Sequence, residues 1–490
     1  MIEFVLNNQP IQTESPAFLP LLDFIRYEQR LTGAKAACRE GDCGACLALE
    51  GRLENGQMHY QSIASCLMPL GNAQGKHIVT IEGLNRKGLS PVQQGIVDHS
   101  ATQCGFCTPG IIVALTALCL SEEPLTEQRA MAALDGNLCR CTGYQSLKQA
   151  ALSVLSKLPA EQAARPIPWL IDKGYLPVYF SGITEQVAQI PRCAPAFHPG
   201  RPILGGGTDL LAQQPDQLRT AEPSLLCERW ELSGIYLEGN SCTIGSGLTM
   251  AEILRNPDLN RLLPGLEEYG RLIASTPIRN MGTLGGNLAN ASPIADLVII
   301  FLALDTTVLL NGPHGRRELP LDGFYLGYKK TDMRPDEYLE GIRFELPSPG
   351  HIFNFEKVSK RARLDIASVN TAIGLELKSG AITLARISAG GVSPVPLFLR
   401  RTSEFLKGKL ISDKVLAGAS QLIQEEISPI SDIRGSAEYK RLLLRQLFYA
   451  HFLKHFPEQL SLKGLLNEGR KLDEKHRLER TRKGAIHFPG

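Results

Sequence analysis

Cysteine is the residue type whose spacing most clearly indicates chemistry in this sequence. Nine of the 12 cysteines lie in the first third of the 490 residues, and eight of these nine fall into two groups. Clustered thiols in a reducing compartment favour metal binding over disulfide bonds. The other four cysteines are scattered, and we expect them to be inert, buried small hydrophobic residues: Cys119, Cys193, Cys227 and Cys242.

The first group is Cys38-x4-Cys43-x2-Cys46, followed by Cys66. This spacing matches the plant-type [2Fe–2S] pattern, in which four thiolates hold two irons. Glycines at positions 41 and 44 allow a tight loop that directs backbone N–H groups at the sulfides. A structural zinc site is the alternative, although its usual closely spaced cysteine pairs differ from this pattern.

The second group combines Cys104 and Cys107 with Cys139 and Cys141. A Cys-x-x-Cys pair alone is typical of a redox disulfide or half of a zinc site, but the single-residue spacing of the second pair is unusual for either. Thr108-Pro109 predicts a helix start directly after Cys107, and its positive N-terminal end would face an anionic cluster. A second [2Fe–2S] centre is therefore the most economical interpretation.

Two glycine-rich segments lie further along the chain. They are Leu204-Gly205-Gly206-Gly207-Thr208-Asp209-Leu210 and Thr283-Leu284-Gly285-Gly286-Asn287, the second of which precedes Asp296. Such loops can bring backbone N–H groups close to a pyrophosphate, and two of them could clamp an extended dinucleotide. Neither is a G-x-G-x-x-G fingerprint or a P-loop, and turns that merely join strands are the alternative.

Periodicity and helix-start signals predict the elements that must position these residues. A small α+β domain over 1–82 has strands at 3–6, 47–49 and 78–82 and a helix at 19–29. A helical domain over 83–158 has helices starting at Ser90-Pro91 and Thr108-Pro109 and others at 126–134 and 146–158. A proline-rich linker (159–195) leads to an α+β binding domain (196–347) with strands at 241–244 and 307–310. A smaller α+β domain (350–460) has strands within 353–377 and at 381–389, helices at 412–426 and 437–456, and a charged tail (461–490) after it.

Composition excludes several partners. The net charge of +2 gives no broad attraction to nucleic acid or to an anionic membrane. The longest nearly apolar run, residues 111–120, is far shorter than the roughly 20 residues that cross a bilayer. The sequence also opens without the basic start and apolar core of a secretory signal. We therefore expect a cytoplasmic protein.

The motifs around the cysteines resemble a known family. Residues 38–46 (CREGDCGAC), 103–110 (QCGFCTPG) and 137–144 (NLCRCTGY) are similar to the iron–sulfur signatures of the molybdenum hydroxylases, the family of xanthine dehydrogenases and aldehyde oxidases. The resemblance implies a multidomain α+β protein. Its parts would be a ferredoxin-like β-grasp [2Fe–2S] domain, a helical-bundle [2Fe–2S] domain, an α+β FAD-binding domain and a C-terminal α+β flavoprotein domain.

The resemblance also implies site residues. All eight grouped cysteines become cluster ligands, and FAD is bound by residues 204–210, by 283–287 and by Asp296. The helical-domain cluster would lie nearest a molybdopterin, and Gln103 either faces that pterin or is an ordinary surface glutamine.

The implied function is electron transfer. The substrate-oxidising half of the family is expected on a separate, large molybdopterin-binding subunit, in a dimer of heterodimers. Electrons from the oxidation of hypoxanthine and xanthine to urate would pass through both clusters to FAD and then to NAD+, and no residue of this chain is nominated as catalytic. The alternatives are a subunit that serves an aldehyde or another heterocycle, an autonomous flavin and iron–sulfur carrier, and a zinc-stabilised scaffold.

The sequence departs from the family at two positions. Ser368 replaces a family lysine after the Asp-Ile-Ala motif at 365–367, and Ile273 lies near a position that is often aromatic. We therefore predict no flavin contacts from these regions. Lys360, Arg361 and Arg363 could supply positive charge to a cofactor, but a solvated basic face is the simpler interpretation.

Overall fold

A computed structural model describes residues 1–161, 165–191, 197–225 and 232–469. The chain forms two compact units. The first unit comprises Met1–Gly234, Gly245–Arg255 and Ile273–Gly286, and the second comprises Ile235–Ile244, Asn256–Leu272 and Asn287–Gly490. Cys193, Cys227 and residues 470–490 of the predicted tail lie outside the described residues.

The first unit begins with a five-stranded mixed sheet. Its strands, in spatial order, are Gln9–Thr13, Ile2–Leu6, His77–Val79, Leu47–Glu54 and Gln57–Ala64. Ile2–Leu6 pairs in parallel with His77–Val79, and the other pairings are antiparallel. Alternate residues such as Phe4, Leu49 and Ile78 point into a core that is shielded from water. The first cysteine loop enters this sheet at Leu47.

Four helices follow in the first unit: Pro91–Asp98, Thr108–Cys119, Glu127–Ala133 and Gln145–Ser156. Ser90 and Gln93 form a reciprocal capping box at the first helix, and the Thr126 hydroxyl accepts a hydrogen bond from the Arg129 backbone at the third. Thr108–Cys119 is buried on nearly every face, as expected for the central helix of a bundle.

The rest of the first unit consists of short elements. Leu21–Asp23 is an α-helical turn that continues as the π-helical turn Phe24–Glu28, and 3-10 turns lie at Leu70–Ala73, Ile81–Leu84 and Val178–Gly182. A short parallel pair joins Ile203–Leu204 to Ser224–Leu225. The remaining helices are Ile167–Asp172, Ile183–Ala188, Leu210–Gln213, Pro215–Leu218, Met250–Arg255, Thr276–Arg279 and Leu284–Ala289, the last of which runs past Gly286.

The second unit contains two larger sheets. One has the order Arg317–Pro320, Thr307–Asn311, Tyr338–Glu345, Ser241–Gly245 and Ile235–Glu238, and the other has the order Ile352–Val358, Val369–Lys378, Ala381–Gly390 and Leu397–Phe398. A small hairpin pairs Tyr325–Gly327 with Lys330–Thr331. The helices of this unit include Pro257–Leu262, Leu266–Gly270, Asp296–Leu302, Leu321–Phe324, Arg400–Leu406, Asp413–Glu426 and Ala437–His455, and residues 462–469 are helical as well. Leu465, inside the predicted tail, is buried in the core of the second sheet.

The predicted α+β class is confirmed, and most predicted elements are present within a residue or two of their expected bounds. Two local predictions were wrong. The predicted helix over 19–29 is only a short α-helical turn followed by a π-helical turn. The strand predicted over 78–82 ends at Val79, because the chain turns into a 3-10 helix after Thr80. Among the described residues, no helix combines the length and the apolar character that a membrane span requires.

Candidate metal and cofactor sites

The structure brings the four cysteines of the first group together. The Cys38 and Cys43 sulfurs lie 3.2 Å apart, and the Cys46 and Cys66 thiols share a second hydrogen bond. Cys46 and Cys66 are each 3% exposed, whereas Cys38 and Cys43 are half-buried. The buried Ser65 hydroxyl donates to the Cys46 carbonyl at 2.6 Å and so ties the two parts of the group together.

Backbone conformation explains the glycines of this loop. Gly41 and Gly44 have φ values of +77° and +67°, in the left-handed region that glycine adopts without steric cost. Arg39 anchors the same loop, because its guanidinium donates to both carboxylate oxygens of Asp23 at 3.1 and 2.7 Å. The glycine conformations and the contact between Arg39 and Asp23 together fix the conformation of this loop.

Hydrogen bonds favour one thiolate in each pair of the first group. The hydrogen bond with Cys43, together with backbone N–H groups of the loop, lowers the pKa of Cys38 to about 5. The corresponding interaction with Cys66 lowers the pKa of Cys46 against the effect of burial. The same hydrogen bonds raise the pKa of Cys43 and of Cys66, so each pair sets one thiol with a lowered pKa beside one with a raised pKa. Thiolates are the form that binds metal, and each pair therefore favours one thiolate.

The second group also converges in the first unit. The Cys104 and Cys141 sulfurs lie 3.6 Å apart, and Cys107 and Cys139 share a hydrogen bond. The Thr142 hydroxyl donates to the Cys139 sulfur at 3.1 Å, and the Cys139 N–H donates to the Tyr144 hydroxyl at 3.1 Å. These hydrogen bonds fix the Cys-x-Cys turn relative to the bundle.

The two pairs of the second group differ in exposure. Cys104 and Cys141 are exposed, whereas Cys107 is 9% and Cys139 5% exposed. Cys107 is the residue directly before the helix Thr108–Cys119, so the positive end of that helix faces this group. The exposed Gln103 donates to the Cys141 carbonyl at 3.1 Å, which places it beside the exposed pair.

Both groups fit a [2Fe–2S] cluster in the arrangement of their donors. Such a cluster takes four thiolates, two on each iron, and each group presents two close sulfur pairs. Within the described ranges, no three His, Cys, Asp or Glu side chains surround a position for a single metal ion.

The glycine-rich segments over 204–210 and 283–286 adjoin in the first unit. The Asn72 amide donates to the Gly205 carbonyl at 2.8 Å, and a Cβ atom on Gly205 would lie 3.2 Å from the Thr283 hydroxyl. A Cβ atom on Gly206 would lie 1.9 Å from the Met281 carbonyl oxygen, so only glycine fits there. The Thr283 hydroxyl accepts from the Gly286 N–H at 3.1 Å. The backbone at Gly205 and Gly206 therefore lies against residues 281–283, and a side chain at Gly206 would prevent this close approach.

Other predicted flavin residues have distinct environments. Asp209 precedes the helix Leu210–Gln213 and accepts a hydrogen bond from the Gln213 amide at 3.2 Å. The side-chain oxygen of Asn287 is buried and has no hydrogen-bond partner among the described residues. A buried acceptor without a partner is costly, so this atom fits contact with a bound donor group.

Asp296 lies in the second unit at the start of the helix Asp296–Leu302. One carboxylate oxygen accepts from Lys357 Nζ at 2.7 Å and the other from the Asn370 amide at 2.5 Å. Lys357 also donates to the Leu272 carbonyl at 2.7 Å, and its side chain is 2% exposed. Sequence reasoning missed Lys357, because an isolated lysine in a strand gives no signal of burial.

The remaining predicted residues have structural contacts. Lys360 Nζ donates to the Ile433 carbonyl, and Arg363 donates to the Arg271 carbonyl. Arg361 lies 3.8 Å from Asp365 and donates to the Leu364 carbonyl. Ile273, Cys119 and Cys242 are buried. The three cations therefore bind backbone carbonyls of this chain, and the three buried residues pack in its core.

Comparison with known proteins identifies three domain families in the chain. Residues 80–152 match a [2Fe-2S] binding domain, residues 175–348 match the FAD binding domain in molybdopterin dehydrogenase, and residues 355–455 match the CO dehydrogenase flavoprotein C-terminal domain.

Similar full-length proteins carry related names. A xanthine dehydrogenase of Emericella nidulans is 28% identical over 92% of this chain and 38% of its own length. An aldehyde oxidase 4 of Cavia porcellus is 27% identical over 92% of this chain and 39% of its own length. This chain thus spans about two fifths of the curated relatives that it matches. A solved carbon monoxide dehydrogenase of Hydrogenophaga pseudoflava is 30% identical, covering 51% of this chain and 88% of its own, with a TM-score of 0.48.

An iron–sulfur domain and an FAD-binding domain in one chain define an oxidoreductase. The chain belongs to the molybdenum hydroxylase family, and it matches the iron–sulfur and FAD part of that family.

Proposed function

We propose that the chain holds two [2Fe–2S] clusters and FAD and passes electrons from the molybdopterin centre of a partner subunit to NAD+. The observation that carries this proposal is the convergence of eight cysteines into two groups in the first unit. The matches to a [2Fe-2S] binding domain and to an FAD binding domain support it.

The division of work follows from the chemistry of the groups that would be bound. Iron–sulfur clusters carry single electrons, whereas FAD, when bound, can collect two electrons and deliver a hydride to a nicotinamide. In the proposal, Cys38, Cys43, Cys46 and Cys66 hold one cluster, and Cys104, Cys107, Cys139 and Cys141 hold the other. Residues 204–210 and 283–287, together with Asp296, bind FAD.

The proposed reaction is that of xanthine dehydrogenase, in which hypoxanthine and xanthine are oxidised to urate. Relatives with that name support this choice. Oxidation of an aldehyde is the second candidate, because other relatives are named aldehyde oxidase. We propose that the substrate determinants lie on the partner subunit. We further propose that the protein is cytoplasmic and that the complex is a dimer of heterodimers.

Cofactor analysis of anaerobically purified protein tests the electron-transfer assignment. We expect two irons and two sulfides for each cysteine group and one FAD, with two distinct signals by low-temperature electron paramagnetic resonance (EPR) after reduction. Cys66→Ala should remove one signal and keep the other. Cys119→Ala is the matched control, because this buried cysteine lies outside both groups and should leave both signals intact. Stoichiometric zinc, or the absence of flavin, would contradict the assignment.

Copurification and turnover test the remaining part. A molybdenum-containing partner and reduction of NAD+ by xanthine are expected. Turnover with aldehydes but not with xanthine would favour the second candidate, and a chain that purifies with flavin and iron but without any molybdenum partner would favour an autonomous electron carrier.

A further inference from the structure

Three residues at the second cysteine group close a ring of hydrogen bonds. The Cys139 N–H donates to the Tyr144 hydroxyl at 3.1 Å. The Tyr144 N–H donates to the Thr142 hydroxyl oxygen at 3.4 Å, and the Thr142 hydroxyl donates to the Cys139 sulfur at 3.1 Å. Each residue thus gives one hydrogen bond and receives one, so the ring returns to the cysteine from which it starts.

The ring fixes the direction of the Thr142 hydroxyl hydrogen. A hydroxyl has one hydrogen to donate and lone pairs that accept. Because the Tyr144 N–H approaches the Thr142 oxygen as a donor, that oxygen keeps its own hydrogen for Cys139. Cys139 is 5% exposed, and a hydrogen bond that is shielded from water is electrostatically stronger than one in solvent. The Cys139 sulfur therefore receives a directed donor in poorly hydrated surroundings.

The backbone adopts an unusual conformation where the ring closes. Gly143 has a φ value of +63° and Tyr144 one of +70°, both in the left-handed region. Glycine adopts this region without steric cost, whereas a bulky aromatic residue is an outlier there. Such strain persists only where the surrounding structure fixes it. In this turn the hydroxyl and the N–H of Tyr144 both bond within the ring, and these bonds account for the strained conformation.

The first cysteine group receives a different kind of donor. There the Glu40 backbone N–H donates to the Cys38 sulfur at 3.4 Å. A backbone N–H remains in place when the side chain is replaced by any residue except proline. The Thr142 hydroxyl, in contrast, can be removed by a single substitution. The donor to the second group can therefore be deleted while the first group keeps its own.

We propose that Thr142 is a positioning residue that acts through Cys139 and raises the reduction potential of the cluster held by the second group. The inference rests on the proposed function, since it requires an iron–sulfur cluster at Cys104, Cys107, Cys139 and Cys141. Reduction adds one electron and therefore one negative charge, and Thr142 keeps its proton. A hydrogen bond to a ligating sulfur stabilises that added charge, so the hydroxyl favours the reduced state.

A redox titration of the anaerobically purified full-length protein tests the proposal. Low-temperature EPR follows the two reduced-cluster signals while dithionite lowers the solution potential, and Cys66→Ala identifies the signal of the second group. Thr142→Val removes the hydroxyl and keeps the shape of the side chain, whereas Thr142→Ser keeps the hydroxyl. Thr102→Val is the matched control, because its hydroxyl bonds to the Thr108 hydroxyl at 2.7 Å beside the same cysteine group.

The expected result is a shift of one potential only. The midpoint potential of the second cluster should fall in Thr142→Val by about 59 mV, which is a tenfold change in the equilibrium of a one-electron couple. About tenfold is the effect expected from the loss of one hydrogen bond to a charged group. Thr142→Ser and Thr102→Val should keep the potential of the unmodified protein. The first cluster is an internal reference, since its potential should be the same in every variant.

The outcomes separate this inference from the proposed function. Equal potentials in Thr142→Val and the unmodified protein, with both signals present, refute the role of Thr142 and leave the proposed function standing. A fall of the same size in Thr142→Ser also refutes it, because the hydroxyl is retained there. Fewer than two signals in the unmodified protein would instead contradict the proposed function.

Iron analysis of each variant guards against loss of the cluster. If Thr142→Val loses iron, Thr142→Ala makes the same comparison with a smaller side chain. Loss of iron from both of these variants, with iron kept in Thr142→Ser, would show that the hydroxyl holds the cluster in place, and this result would overturn the effect on the potential.

Discussion

Glu50 offers the most quantitative test of how the first unit is held together. It lies on the strand Leu47–Glu54, which leads directly out of the first cysteine group, and it is 2% exposed. Its carboxylate accepts from Lys76 Nζ at 2.5 Å, from the Gln61 amide at 2.7 Å and from Arg52 at 3.3 Å. Burial opposes ionisation, but these charges and hydrogen bonds hold the pKa of Glu50 at about 2.

The shift gives the size of the expected effect. A fall in pKa from 4.5 to about 2 corresponds to about 3 kcal/mol of stability, at about 1.4 kcal/mol for each pKa unit. Glu50→Gln keeps the shape of the side chain and removes its charge, so Lys76 and Arg52 lose their anionic partner. We expect the free energy of unfolding of the first unit to fall by about 3 kcal/mol at neutral pH, in line with the ~3–5 kcal/mol cost of breaking a buried ion pair.

Hydrogen exchange measured by mass spectrometry provides the assay. Amides of residues 47–54 should exchange about 100-fold faster in Glu50→Gln, because each 1.4 kcal/mol is about a factor of ten. Glu54→Gln on the same strand is the control, since Glu54 is exposed. The folded pKa is depressed, so the stabilisation is complete above pH 4.5 and is lost as the pH falls towards about 2. Equal exchange in Glu50→Gln and the control at neutral pH would refute the argument.

Three further perturbations test other parts of the chain. Gly206→Ala should lower the flavin content without loss of iron, because its Cβ atom would lie 1.9 Å from the Met281 carbonyl oxygen. Gly205→Ala is the control, since its Cβ atom would lie 3.2 Å from the Thr283 hydroxyl. Equal flavin content in the two variants would contradict the prediction. Asp296→Asn leaves Lys357 buried without its anion and should lower the free energy of unfolding of the second unit by ~3–5 kcal/mol. Adding Lys357→Met should restore part of that loss of stability. Calorimetry of the single and the double variant measures the difference. Burial lowers the pKa of His451 to about 3, so the stability that its neutral ring contributes is complete above pH 6.5 and is lost as the pH falls towards 3. The melting temperature of His451→Gln should therefore depend less on pH between 7.5 and 5 than that of the unmodified protein. The same pH dependence in both proteins would contradict the prediction.

Local sequence signals predicted the elements that carry the cysteines. The helix start marked by Ser90-Pro91 is present with its capping hydrogen bonds, and the helix predicted over 126–134 begins after a Thr126 cap, because such bonds form between residues close in sequence. The spacing of the cysteines likewise predicted two groups, and the structure brings both together. That these residues bind clusters stays a prediction for cofactor analysis.

Contacts between distant segments could not be predicted in the same way. Residues 273–286 belong to the first unit although they lie far along the sequence, and Asn280 donates to the Ser62 carbonyl at 2.9 Å across 218 positions. The close approach of Gly110 to Gly44 also gives no local signal, since a glycine inside a helix has no distinctive sequence pattern. Such contacts depend on how the elements pack and not on periodicity.

Ser368 shows that a sequence motif alone does not predict where a buried positive charge lies. The resemblance to the family implied a lysine at the position of Ser368, and its absence predicted that the region makes no flavin contact. In the structure the Ser368 hydroxyl donates to the Arg434 carbonyl, so the position serves the fold. A buried cation is nevertheless present one strand away, where Lys357 pairs with Asp296. Because a buried lysine needs an anion to remain charged, Asp296 and Lys357 are best regarded as one unit, and a flavin contact by Asp296 would have to act on a carboxylate that is already paired.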